Sequence, residues 1–293
     1  MQLDGALALA ATLFPLRRGD RDPTTRIGGR EVLRAVRTPD GGATLRLTQV
    51  AVDMVEVRAT GPGADHAIEV DAPGLVGASD DPVALVLRDD DPVRPFRRRQ
   101  PGVRLTRTAV LPVLLAAILE QKVTGHEARG AWRGLVLGTS EPAPGHAGLW
   151  LPPDVARVAE TPSFTFHRWG VERRRAEVAR TVASRAGRIE AFTSPGELRS
   201  WLEKLPGIGV WTSAETARLA LGDPDAVSVG DFHLPNLVAW LLAGEPRADD
   251  TRMLELLEAY RGQRGRVQRL LEATGMRAPA YGPRADAPSI AAW

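Results

Sequence analysis

The segment 198–240 pairs a turn, Leu205-Pro206-Gly207-Ile208-Gly209, with one acidic residue, Asp231, placed just before a helix. The turn is too short and too rich in glycine to continue a helix, and Ile208 between the glycines fills the gap between the flanking helices. A second helix starting at about Gly209 points its free amides and the positive end of its dipole at solvent. A phosphate is held there with no base being read. Taken alone, a G-x-G turn is equally a tight connection between helices. Asp231 also has two readings. It is an N-cap for the following helix, the commonest task of such a residue, or a carboxylate that stabilises developing positive charge and orients or deprotonates a water. The hairpin upstream favours the second.

These residues need helices to carry them, and helical spacing runs through 109–124, 125–136, 153–160, 171–187, 195–205, 210–221, 231–243, 251–260 and 264–275. Pro153 and Ser194-Pro195-Gly196-Glu197 mark starts, and Gly187 and Gly275 mark stops. Earlier in the chain the pattern alternates, in Glu31 to Val36, Ala43 to Leu47 and Met54 to Ala59, which predicts antiparallel strands. Pro39-Asp40-Gly41-Gly42 is a hairpin turn, and Gly61-Pro62-Gly63 is a second break. The apolar run 6–14 reads as a further strand of that sheet. Residues 89–102, rich in charge, proline and arginine, read as a linker. The expected fold class is α+β. An N-terminal antiparallel α/β domain covers 1–100, an all-α domain covers 101–280 with its hairpin at 202–211, and a tail covers 281–293, where Trp293 is a candidate to dock on the body.

A chain of 293 residues that is 43% hydrophobic is able to bury a sizeable core, and it has no cysteine, which excludes disulfides and cysteine-ligated zinc or iron–sulfur clusters. No Lys or Arg precedes the short run 6–14, which predicts neither a signal peptide nor a membrane anchor. Net charge is only +2. Arginines bunch at 94–107, 168–188 and 261–277, faces that would meet a polyanion or else be a solvated surface.

Leu205-Pro206-Gly207-Ile208-Gly209-x-Trp211-Thr212, followed by a helix and then Val229-Gly230-Asp231, resembles the helix-hairpin-helix superfamily of base-excision DNA glycosylases. Within it the likeness is to the alkylation-repair, 3-methyladenine type. Pro101 to Leu105 and Ala117 to Thr124 resemble the start of that family's helical domain. The resemblance implies an enzyme on double-stranded DNA with damaged bases: a cytoplasmic, nucleoid-associated bacterial monomer with no membrane partner and no required cofactor. Such an enzyme extrudes the damaged nucleotide at a cost of about a few kcal/mol, and hydrolysis of its N-glycosidic bond passes through an oxocarbenium-like sugar.

Position by position, the resemblance makes Asp231 the catalytic aspartate and Gly207 and Gly209, with Leu205 and Ile208, the phosphate-binding hairpin. Trp211 becomes a wall of the base pocket, standing where bifunctional lyases carry a Schiff-base lysine, so a monofunctional glycosylase for alkylated purines is implied. Backbone carbonyls of Glu203, Leu205 and Ile208 are candidates to hold a Na or K ion bridging to phosphate.

Two positions depart from the family. Lys122, after Gln121 in the DNA-contacting loop, replaces an apolar wedge and would reach a phosphate or the orphan base. Glu215, one turn beyond Trp211, replaces an aromatic residue; it would favour a cationic purine in the pocket, or face solvent. Trp132, Trp169, Trp201 and Trp240 are expected in the core. His126, His167 and His233 lack metal-ligand spacing, and His233 alone lies near Asp231. The alternatives are a non-catalytic helix-hairpin-helix DNA-binding module and a glycosylase for another damaged base.

Overall fold

A computed structural model describes residues 1–279. Four antiparallel strands, β1 (Thr25–Gly28), β2 (Glu31–Thr38), β3 (Gly41–Ala51) and β4 (Met54–Thr60), lie in sequential order. Thr38 pairs with Gly41 across a two-residue turn, so Pro39 and Asp40 form the tip. The sheet is buried on both faces at β2, which explains its run of apolar residues. Val32 and Val36 face the main core, whereas Leu33 and Ala35 meet Ala143, Leu149 and Leu151.

Fifteen α-helical segments occur among the described residues. The first four are short: α1 (Leu9–Leu13), α2 (Ala64–His66), α3 (Ala72–Leu75) and α4 (Arg94–Arg99). Next come α5 (Val110–Glu120), α6 (Gly125–Thr139), α7 (Val155–Glu160), α8 (Ser163–His167), α9 (Arg173–Ala183) and α10 (Ala186–Glu190). The last five are α11 (Pro195–Leu202), α12 (Val210–Leu221), α13 (Leu234–Ala243), α14 (Asp250–Leu257) and α15 (Arg264–Ala273). None of them is long and apolar enough to cross a membrane.

Helix α5 is apolar nearly all round because it runs through the middle of the core, with every residue from Val113 to Leu119 buried. Its first turn is capped from a distance: the Glu190 carboxylate accepts from the Val110 and Leu111 amides at 2.8 and 2.7 Å. At the start of α6, Thr124 and Glu127 form a reciprocal capping box. Helix α12 ends on Gly222, whose φ of 66° supplies the left-handed C-terminal cap.

Two expectations fail here. Residues 9–13 are helical rather than a strand, with Leu9 and Leu13 buried one turn apart; a short apolar run fits either period until its neighbours select one. Residues 89–102 are no linker: they contain α4, and Val93, Phe96 and Val103 pack with Val238, Leu257, Val267 and Leu271 of the C-terminal helices. Packing is continuous across Gln100, whose side chain donates to the Ala273 carbonyl at 3.0 Å.

The arginine bunches also divide. Arg104 is 2% exposed and donates to the carbonyls of Asp4, Gly5, Ala6 and Gly77. Arg175 and Arg269 are buried, and Arg266 is buried against Asp80. A guanidinium has five donors and so ties together turns that lack regular partners. Arg98, Arg99, Arg173 and Arg174 remain exposed. The position of Trp293 lies outside the described residues.

Candidate active site

The hairpin joins α11 to α12. Ile208 is 5% exposed and its amide donates to the Leu205 carbonyl at 3.1 Å, closing the turn around a core side chain. Gly207 has φ +90°, and a Cβ there would stand 2.4 Å from Cγ2 of Val178, so the position needs glycine twice over. Gly209 caps α12 with no side chain on the amides, and Gly209 and Val210 are exposed. The end of α12 that an anion would approach is therefore open.

One residue further, Trp211 donates its indole N–H to Oδ2 of Asp231 at 3.1 Å. Oδ1 of Asp231 accepts from the amides of His233 and Leu234 at 2.7 and 2.9 Å. One oxygen thus caps the start of α13, as the capping reading expects, and the other faces Trp211. Three N–H donors leave the carboxylate one orientation, and Oδ2 retains a second lone pair. The loop before it is pinned at several points. Gly230, at φ +90°, donates its amide to both carboxylate oxygens of Asp250, and the Ser228 amide donates to Gln268 at 3.2 Å.

Gln121 and Lys122 lie in the loop between α5 and α6, and the structure brings that loop to the hairpin. The Gln121 side-chain amide donates to the Gly207 carbonyl at 3.1 Å and to Thr212 Oγ1 at 2.8 Å. Lys122 is exposed and, at φ 54°, is the one non-glycine residue with positive φ among the described residues.

Glu215 does not face solvent; its side chain is 13% exposed. Its Oε1 accepts from Arg218 at 2.6 Å and from the Ser228 hydroxyl, while Arg218 also pairs with Glu272 at 2.9 Å. Burial pushes the Glu215 carboxyl up, but Arg218 and the Ser228 hydroxyl outweigh it and hold the group below the usual carboxylate range. This network fastens α12 to α15 directly behind Trp211.

Sequence reasoning missed Glu120 and Arg18. Arg18 Nη1 donates to Glu120 Oε1 at 2.9 Å across the span between the N-terminal segment and the end of α5. Burial raises the Glu120 carboxyl; Arg18 opposes this, and the Glu215 and Asp231 carboxylates add to it. The available signal was a charged residue closing the apolar run of α5, next to Gln121. Of the tryptophans, Trp132 is 4% exposed and bonds Asp22, Trp169 and Trp201 are half-buried against the core, and Trp240 is half-buried. His126 and His233 are exposed, the latter in edge contact with the exposed ring of Phe232. A cavity of about 500 Å³ lined by Val83, Leu85, Arg97, Arg98, Arg104 and Leu270 includes none of these site residues.

Neither a family model nor a curated protein matches the sequence. Solved structures do. A 3-methyladenine DNA-glycosylase from Archaeoglobus fulgidus superposes with a TM-score of 0.78 at 16% identity, over 93% of this chain and 97% of that one. The 8-oxoguanine glycosylase/lyase of Clostridium acetobutylicum, solved with double-stranded DNA, gives 0.71 at 12% identity over 92% of both chains. From the sheet through the hairpin to the last helices, the chain has the fold of these DNA glycosylases.

Proposed function

We propose that the protein is a DNA glycosylase of base-excision repair that hydrolyses the N-glycosidic bond of alkylated purines in double-stranded DNA, without lyase activity. The observation that carries this reading is the bond from Trp211 to Asp231 at 3.1 Å, made by the helix whose free N-terminus is the Gly207–Gly209 hairpin. One rigid helix thereby relates an anion-binding end to an oriented carboxylate. A phosphate on the hairpin amides places the sugar of an extruded nucleotide near Asp231, and Oδ2 then stabilises the developing cation and takes a proton from the attacking water. An alkylated purine is already a good leaving group, and the indole face offers it an electron-rich wall. A monovalent cation on the carbonyls of Glu203, Leu205 and Ile208 would add charge at the phosphate.

The neighbours include both a 3-methyladenine glycosylase and an 8-oxoguanine glycosylase/lyase. What supports the hydrolytic mode is that Trp211, and not a lysine, stands beside Asp231. Borohydride on enzyme mixed with damaged or abasic DNA should trap no adduct; a robust adduct overturns the monofunctional reading.

Asp231→Asn is the decisive variant. Asparagine keeps the cap but sets its NH2 against the Trp211 indole N–H, so a stability loss of about 1–2 kcal/mol is expected. Loss of the charge should slow release of 3-methyladenine or 7-methylguanine from duplex DNA by about 10²-fold or more. Unchanged release with intact DNA binding would mean that Asp231 is no catalyst and that the hairpin serves binding alone.

A further inference from the structure

Arg18 and Glu120 sit where the end of α5 meets the first turns of α12. Glu120 is followed at once by Gln121, which bonds Thr212, and Thr212 is followed in space by Trp211 and Asp231. Gln121 also bonds the Gly207 carbonyl, so the pair adjoins the hairpin as well as the helix that carries Trp211. It is only half engaged. Among the described residues Glu120 uses Oε1 alone, and the Arg18 guanidinium uses Nη1 alone. A cleft of about 170 Å³ lined by Arg17, Gly19, Val123 and Arg129 opens beside the pair, so the free atoms are reached from outside.

A fixed carboxylate oxygen next to free guanidinium N–H groups is an acceptor beside donors. That pattern matches the edge of a nucleobase, which carries an N–H next to a carbonyl or ring-nitrogen acceptor. Arg17, Arg18 and Arg129 surround the cleft, and among the described residues Glu120 is the one carboxylate in its lining, so the N–H side of a base edge has one carboxylate to meet there.

The geometry points to the Arg18–Glu120 pair as the specificity-determining reader of the extruded base: Glu120 accepts an N–H of the base edge, and Arg18 donates to the adjacent acceptor. This rests on the glycosylase reading of the Asp231 site. It also gives the N-terminal segment a task, because Arg18 lies just before the sheet and nearly a hundred residues from the helices that hold the rest of the site.

The test separates base reading from catalysis. Calorimetric titration of the full chain with 7-methylguanosine, guanosine and thymidine measures base binding, and single-turnover release from 7-methylguanine DNA measures chemistry. Guanosine and thymidine also carry an N–H beside a carbonyl, so loss of either partner should weaken all three. Glu120→Gln and Arg18→Met should each weaken 7-methylguanosine binding by about tenfold, the worth of one hydrogen bond to a charged group. The double variant Arg18→Glu with Glu120→Arg restores an ion pair and should melt like the wild type, yet not recover binding. The inference fails if the wild type binds no nucleoside, if the single variants bind as the wild type does, or if the swapped pair recovers full binding, which would make the pair merely structural. Binding that depends on the pair in a protein that releases no base from DNA would keep this inference and sink the glycosylase reading.

Discussion

At the scale of single residues, Asp231 shows how a structural task and the proposed chemical one can share a side chain. Its Oδ1 caps α13 through two amides, and its Oδ2 meets the Trp211 indole. Capping fixes the rotamer, so the second oxygen points in one direction before any substrate arrives. Trp211→Phe keeps an aromatic face and removes the N–H. It should lower single-turnover release by about tenfold to a hundredfold, the cost of losing one charge-assisted hydrogen bond, with little change in DNA affinity; release at the wild-type rate would show that the indole N–H does not position the carboxylate. Asp231 and Trp211 were legible in the sequence because a turn and a helix set their spacing. The bond between them was not, since residues 20 apart in sequence meet only when Val227 to Gly230 folds back against α14 and α15.

At the scale of elements, the hairpin works because three other pieces hold it. Val178 on α9 occupies the space a Cβ at Gly207 would need, Ile208 plugs into the core, and Gln121 reaches across from the α5–α6 loop to the Gly207 carbonyl. Gly207→Ala must strain a backbone at φ +90° and displace Val178. We expect it to cost about 1–3 kcal/mol of stability and to weaken binding to undamaged duplex DNA measurably; binding and melting equal to the wild type would place the phosphate contact elsewhere. The same loop presents Lys122 on a left-handed turn, which a sequence with no glycine at that position does not announce. The helical pattern located α12 to the residue, whereas α1 and α4 were misread because short runs carry too little period to overrule either alternative.

Across the whole molecule, buried charge joins the pieces that the chain separates. Glu215, Arg218, Ser228, Gln268 and Glu272 link α12, the Asp231 loop and α15. The Glu215 carboxyl lies below its ordinary value in the folded state, so the stability it contributes is present above the unfolded value near pH ~4.3 and is lost as pH falls through the folded one. Asp225, held down by Arg264 and backbone amides against the opposing effect of burial, acts in the same sense. In urea unfolding the Glu215 and Asp225 share of stability should therefore be lost between about pH 6 and about pH 3, while Glu120 and Glu190, whose carboxyls burial raises, act in the opposite sense. Glu215→Gln should lose about 3 kcal/mol at neutral pH, because it leaves the Arg218 charge short of a partner, and should show a flatter acid limb; an unchanged acid limb would assign that dependence to other carboxylates.

By itself the sequence determined the local devices: the glycine turn and its plugging isoleucine, the helix that starts at the hairpin, the capping aspartate, and the alternating strands of the sheet. Each is set by backbone conformation and period within about one or two turns of chain. Only the tertiary structure decided where charge goes, because burial depends on distant neighbours. It put Glu215 inside rather than out, turned Arg104, Arg175 and Arg266 from surface cations into ties between loops, and set Arg18 against Glu120. A charged side chain is exposed or enclosed according to what packs over it, and that covering comes from residues tens to hundreds of positions away.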